Sequence, residues 1–205
     1  MVYAGQGERG RSLGDIFVLN LRDENREWKR GITIKPPESR HQHTLVGDTK
    51  SRNPNVKYLF GGINTPNNTF YNDLWELDMS KIVYDSTNAE ISGIKFTQIP
   101  TIGHRPAERK GHCSFFYMGR MFIYGGQCED IDYDTMRYIH YIEMSLLYDR
   151  QDRKKSIASL NDLPAEIPTL NWRCIENKSA EISPRSLFSC SWYNENTLLV
   201  ASSLS

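Results

Sequence analysis

Short stretches in which apolar and polar positions alternate recur along this chain, separated by clusters of Gly, Asn, Pro and Asp. Val2-Tyr3-Ala4-Gly5, Tyr58-Leu59-Phe60-Gly61-Gly62 and Phe122-Ile123-Tyr124-Gly125-Gly126 are three versions of one apolar strand that ends in glycine. A fourth, Leu198-Leu199-Val200-Ala201, follows the pattern but has Ser202 where glycine is expected. Downstream of the first three come segments of period two, in which Phe17/Leu19/Leu21, Trp75/Leu77/Met79 and His140/Ile142/Met144 each share a strand face. Each unit then supplies a short strand carrying one large aromatic (Trp28, Phe96, Trp172), a link containing proline, an arginine and a further strand. Strands are predicted near 2–5, 15–21, 28–32, 41–46, 56–62, 73–79, 95–100, 112–117, 120–125, 138–144, 171–176, 187–193 and 197–201. A helical turn or two is compatible with the segment following Glu143.

The landmarks keep step with one another. Trp28 to Phe96 is 68 residues and Arg40 to Arg109 is 69, while Phe96 to Trp172 and Arg109 to Arg185 are both 76. Two independent markers that stretch together define a repeat, and repeats of this size mean stacked structural units. Arg40 to His43 and Arg109 to His112 share an Arg-x-x-His pattern, and Asn72-Asp73 precedes the third strand. With the paired glycines and the aromatic of the fourth strand, these features resemble the kelch family over essentially the whole chain. Two departures stand at the ends. Gly5-Gln6-Gly7 interrupts the glycine pair, and the last unit lacks both glycines and has Phe188 in place of the histidine.

The resemblance implies an all-β fold, a kelch-type β-propeller with four-stranded blades. Counting strands gives three in residues 1–37, four in 38–104, four in 105–180 and two in 181–205. That is an incomplete propeller, two full blades flanked by two partial ones, because propellers close with at least four. The alternative, terminal strands combining into one blade, yields a circle of only three. The excess over the family's period falls in long loops, at residues 80–94 and 145–170. Trp75 is expected to be a buried anchor between blades.

Composition narrows the function. Hydrophobic residues at 39% and aromatics at 11% provide a core. Lys+Arg and Asp+Glu balance at 25 each, so nothing argues for nucleic acid or an anionic membrane. No apolar run approaches a membrane span, and the first residues lack the apolar segment of a signal peptide. Cys113, Cys128, Cys174 and Cys190 are few and far apart, and read as free thiols in a reducing compartment, cytoplasmic or nuclear. The acceptor patterns at Asn67 and Asn177 are then chance matches.

Arg40, Arg109 and Arg185 occupy one position in three successive units, just before the innermost strand. Propeller symmetry predicts a ring of guanidinium groups near the channel mouth, suited to a carboxylate or phosphate on a partner protein or acidic peptide. The competing role is hydrogen bonding to backbone carbonyls. The histidines show no metal-like spacing beyond His41/His43, and read as hydrogen-bonded strand residues. Glu129 to Asp134 resembles a calcium loop but has Thr135 and Tyr141 where glycine and glutamate are required. No phosphate loop, nucleophile elbow or zinc motif is present, so no cofactor is implied. The loops joining strands two and three differ completely: basic at 6–14, amide-rich at 63–72, acidic at 129–134. Variable loops on a repeated scaffold are where recognition is placed.

The sequence therefore points to a non-enzymatic scaffold for protein binding, a role the kelch resemblance also implies, in a family whose members are often fused to further domains. A propeller enzyme of the oxidase or hydrolase type, with its site at the channel mouth, is the alternative, and an inactive degenerate fragment is a third.

Overall fold

The computed structural model describes residues 1–22, 24, 26–48, 53–84, 90–129, 137–148, 166–178, 188–194 and 197–202. Every predicted span carries a strand. The strands are β1 (Val2–Gln6), β2 (Ser12–Leu19), β3 (Trp28–Ile34), β4 (Thr44–Val46), β5 (Val56–Asn64), β6 (Thr69–Asp78), β7 (Glu90–Ile99) and β8 (Thr101–Gly103). They continue as β9 (Arg109–Lys110), β10 (Cys113–Tyr117), β11 (Arg120–Tyr124), β12 (Gln127–Cys128), β13 (Tyr138–Glu143), β14 (Leu170–Glu176), β15 (Phe188–Asn194) and β16 (Thr197–Ser202). The loop expected over 80–94 is shorter, because β7 begins at Glu90 and Ser92 bridges to Val83. Residues 145–148 are helical, and 149–165 of the loop expected over 145–170 lie outside the described residues.

Antiparallel pairing builds two four-stranded blades, β4-β5-β6-β7 and β10-β11-β13-β14, with β1-β2-β3 before them and the β15-β16 hairpin after. Outer strands of neighbouring blades are also joined, in parallel, at the same repeat positions. Thr33 pairs with Ile94 and Thr101 with Leu170, five residues after one unit's aromatic and two before the next. The seam covers edges that would otherwise offer unpaired backbone.

The core lies between blades. On β5, Leu59 faces the first blade, packing with Ile16, Val18, Leu77 and Phe96. Its neighbours Tyr58 and Phe60 point the other way, toward Ile123, Ile142 and Trp172 of the next blade. Period-two alternation thus supplies two apolar faces to one strand, as a sheet sandwiched between sheets requires. Trp75 shares its face with Leu77 and Met79 and packs against the first cluster, but it is only half-buried. Its Nε1 donates to Asp73 Oδ2 at 2.6 Å, so the closed anchors are Leu77 and Phe96 instead. In the first blade the matching face is open. Trp28 is 52% and Leu21 74% exposed, on the side that a preceding blade would cover.

The expectation of four free thiols is corrected. Cys113 and Cys190 are joined as a disulfide between the inner strands β10 and β15, with Cα atoms 6.3 Å apart, whereas Cys128 and Cys174 carry none.

The glycine pair sets how closely blades approach. Gly61 and Gly62 have φ of +63° and +100°, and Gly125 and Gly126 have +68° and +94°. In the first blade the pair is Ala4-Gly5, at +53° and +119°, so an alanine takes a left-handed conformation there. A Cβ on Gly61 would stand 2.9 Å from both the Arg109 carbonyl oxygen and His112 Cε1 of the next blade. Gly61→Ala is therefore expected to lower stability by about 2–4 kcal/mol, combining left-handed strain with overpacking. Ala4→Gly at the equivalent position should be neutral or stabilising. Urea unfolding of the two variants checks the contrast.

Candidate binding face

The β-hairpin loops joining second and third strands meet the links that lead into the following inner strands. Ser12 Oγ lies 2.9 Å from His41 Nδ1 and accepts the Thr65 N–H at 3.0 Å, tying the first blade to the loop of the second. Asn72 Nδ2 donates to the Pro106 carbonyl at 3.2 Å, and Arg105 Nη2 to Asn72 Oδ1 at 3.1 Å. Main-chain bonds add to the frame, from Gly5 N–H to the Arg40 carbonyl and from Gly111 N–H to that of Gln42. Loops and links form one continuous face.

The repeat arginines lie beneath this face. Arg40 is 1% exposed. Its Nε donates to the Glu38 carbonyl at 3.0 Å and its Nη1 to the Gly61 carbonyl at 3.1 Å. Nη1 and Nη2 hold the Asp73 carboxylate at 2.6 and 2.9 Å. The Tyr71 ring covers the guanidinium at 4.0 Å. Each nitrogen of the Arg40 guanidinium is thus bonded within the fold, the backbone-carbonyl role weighed for it in the sequence. Arg109, fully buried, repeats the carbonyl bonds, with Nε on Ala107 and Nη1 on Gly125, both at 3.0 Å. Tyr138 occupies the register position of Asp73, and Arg109 Nη2 has no hydrogen-bond partner among the described residues. Arg185 lies outside the described residues, as do residues 130–134 of the acidic loop.

His43 and His112 lead into the inner strands β4 and β10, and His140 lies on β13. His112 Nε2 lies 2.9 Å from Thr44 Oγ1 of the preceding blade. Burial, the Arg109 charge and His43 push its pKa down to about 3. Burial with Arg40 and His41 lowers His43 to about 4, and burial with Arg109 and His104 lowers His140 to about 4. All three are neutral at physiological pH. Among the described residues, no cluster of three His, Cys, Asp or Glu is placed to hold a metal ion.

The accessible chemistry belongs to positions that vary from unit to unit. Arg9, Arg11 and Arg105 are exposed, and Lys110 Nζ sits 5.1 Å from the Phe70 ring centroid. Glu8, Glu38 and Glu108 stand among them, with Glu38 accepting the Tyr71 hydroxyl at 2.6 Å. No sequence periodicity singles these cations out. A separate cavity of about 210 Å³, lined by Tyr141, Glu143, Leu146 and Arg173 among others, opens at the far end of β13.

Radially stacked four-stranded sheets, each begun by a buried arginine and pinched by a left-handed glycine pair, are the blades of a kelch-type β-propeller. The chain belongs to the kelch-repeat family: the model of the KLHDC2/KLHL20/DRC7 Kelch-repeats domain matches residues 1–201. Adagio protein 3 of Arabidopsis thaliana is 29% identical over 130 residues, 63% of this chain and 18% of its own length. Host cell factor 2 of Homo sapiens is 25% identical over 206 residues, 93% of this chain and 21% of its own length. The chain thus spans about a fifth of the curated relatives it matches. Among solved structures, that of YjhT aligns with a TM-score of 0.56 and 10% identity, covering 97% of this chain and 53% of its own, a likeness of fold. Among the described residues, no helix is long and apolar enough to cross a membrane.

Two outcomes follow from the buried charges. Arg40→Lys keeps a cation but loses the bidentate grip on Asp73, so stability should fall by about 2–4 kcal/mol. In a double-mutant cycle with Asp73→Asn, the two losses should be far from additive. The histidines bind protons more readily unfolded, near pH 6.5, than folded, near pH 3–4. Their contribution is therefore complete above about pH 6.5 and is lost as pH falls toward 4. Denaturant melts across that window should show the decline, and His112→Gln should flatten it.

Proposed function

We propose that this propeller segment is a non-enzymatic protein-binding module that takes an acidic segment of its partner on the loop face. Kelch-repeat domains typically mediate protein–protein interaction, which supports the general role. The observation that carries the finer reading is a division between positions. Residues of the repeat, Arg40 and Arg109 among them, are buried and hold the loops in shape. The exposed cations Arg9, Arg11 and Arg105, and the half-buried Lys110 beside Phe70, stand at positions that differ from blade to blade.

Guanidinium tips suit carboxylates because they bind them bidentately. Glu8 and Glu108 repel a uniformly acidic strip, so the fitting partner has carboxylates spaced along the chain. Arg40 and Arg109 serve binding as positioning residues, and Arg185 is assigned the same part from its place in the repeat. We take the blades as residues 1–37, 38–104, 105–180 and 181–205, and place the protein in the cytoplasm or nucleus.

The test uses a fluorescent peptide of alternating glutamate and serine, with its glutamine counterpart as control. The glutamate peptide should bind, and its affinity should fall with added salt. Reversing the four cations to glutamate should weaken it on the order of 10–100-fold, at about 0.5 kcal/mol or more for each charge. The melting temperature should fall by only a few degrees, on the order of the one Arg105–Asn72 hydrogen bond that the reversal removes. Equal binding of both peptides, or an affinity that survives the reversal, would overturn the reading.

A further inference from the structure

We propose that Cys113 and Cys190 form a reversible dithiol–disulfide site in the channel wall, which couples the inner strand of one blade to that of the next. Thr44 follows His43 on the second blade, and Ser114 stands two places after His112 on the third. Their hydroxyl oxygens meet at 2.5 Å across the boundary. The fold thus sets the position one after the histidine against the position two after it in the following blade.

One blade further on, Cys113 takes the first of these positions. Phe188 stands where the histidine would be, so Cys190 takes the second. The boundary that elsewhere holds a hydroxyl pair here holds two sulfurs, bonded across a Cα separation of 6.3 Å. That separation lies within the range disulfides span. Cys113 is buried at 6% exposure, whereas Cys190 is partly open and gives a reagent its way in.

The chemistry is thiol–disulfide exchange with a low-molecular-weight disulfide such as oxidised glutathione. The Cys190 thiolate attacks one glutathione sulfur and expels the other as a thiolate. The Cys113 thiolate then attacks Cys190 Sγ in the mixed disulfide and releases the second glutathione. Two protein thiols lose two electrons and two protons, and one glutathione disulfide becomes two thiols. Excess reduced glutathione reverses both steps. The closed bond spans 77 residues and restrains two blades at once, so oxidation stiffens a boundary otherwise held by packing.

The experiment equilibrates the full chain at a series of glutathione ratios, then alkylates remaining thiols and maps peptides without reduction. A single cross-linked pair containing Cys113 and Cys190 is expected, reversible with reductant. The melting temperature of the oxidised form should rise on the order of 10 °C, as a long closed loop predicts. A Cys128→Ser/Cys174→Ser protein should keep both the link and the shift, and Cys113→Ser or Cys190→Ser should abolish them. The site is overturned if all four thiols stay alkylatable, if only glutathione adducts form, or if the link involves Cys128 or Cys174. An unchanged melting temperature in the linked protein would overturn the coupling of the blades.

Discussion

A guanidinium group buried at the start of an inner strand has to find acceptors for its donors, and in this propeller the acceptors it finds draw the blade together. Arg40 reaches the carbonyl of Gly61 at the bend of β5 and the carboxylate of Asp73 on β6, so one side chain joins three consecutive segments. Its own peptide group accepts from Gly5 and donates to Leu13 of the preceding blade. Taking a charge out of water is expensive unless every donor is met. Here each guanidinium nitrogen is met, and Tyr71 closes the remaining face. The left-handed glycine pair belongs to the same device. It bends β5 so that the Gly61 carbonyl meets the arginine, and it leaves room for the His112 ring of the next blade.

The third blade shows which part of the device is indispensable. Arg109 keeps the two carbonyl bonds in the same geometry, on Ala107 and Gly125, although tyrosine replaces the aspartate. The backbone cage is therefore the common element, and the carboxylate is an addition in one blade. Both arginines also act on nearby histidines. Their charges, together with burial, keep His43, His112 and His140 neutral. A neutral imidazole matches its surroundings, since a cationic ring beside a buried guanidinium would add repulsion to desolvation.

The strands were legible because each has two faces to bury, and alternation records both. Which neighbour covers a face was not legible. Phe17, Leu21 and Trp28 carry the same pattern as Trp75, Met79 and Phe96, yet Trp28 and Leu21 stand open, with no sheet among the described residues packed over them. The glycine pair was legible in two blades and hidden in the first, where Ala4 adopts the left-handed angle that the motif normally gives to glycine. For the repeat arginines, the sequence marked the position but not the fate. The partner of Arg40 lies 33 residues away and becomes its neighbour only through the pairing of β5 with β6. The same holds for Cys113 and Cys190, whose proximity depends on the register between blades. The exposed cations left no periodic trace, because residues that vary from unit to unit carry no repeat.

Separating the buried frame from the exposed tips has an energetic consequence for recognition. Exposed charges contribute about 0.2–1 kcal/mol each, whereas breaking a buried pair costs about 3–5 kcal/mol. Loop cations such as Arg9 or Arg11 can therefore change identity with little effect on the fold, while Arg40 cannot. The tips are not floppy appendages, however. The loop after β5 is held at Thr65 by Ser12, and beyond it Asn72 is tied to the Pro106 link. A loop anchored on both sides loses less conformational freedom when a partner arrives, so more of each contact's energy appears as affinity. The interblade hydrogen bonds thus connect stability to binding. They hold the face in one shape and, under the proposed binding role, leave specificity to side chains on which the fold depends little.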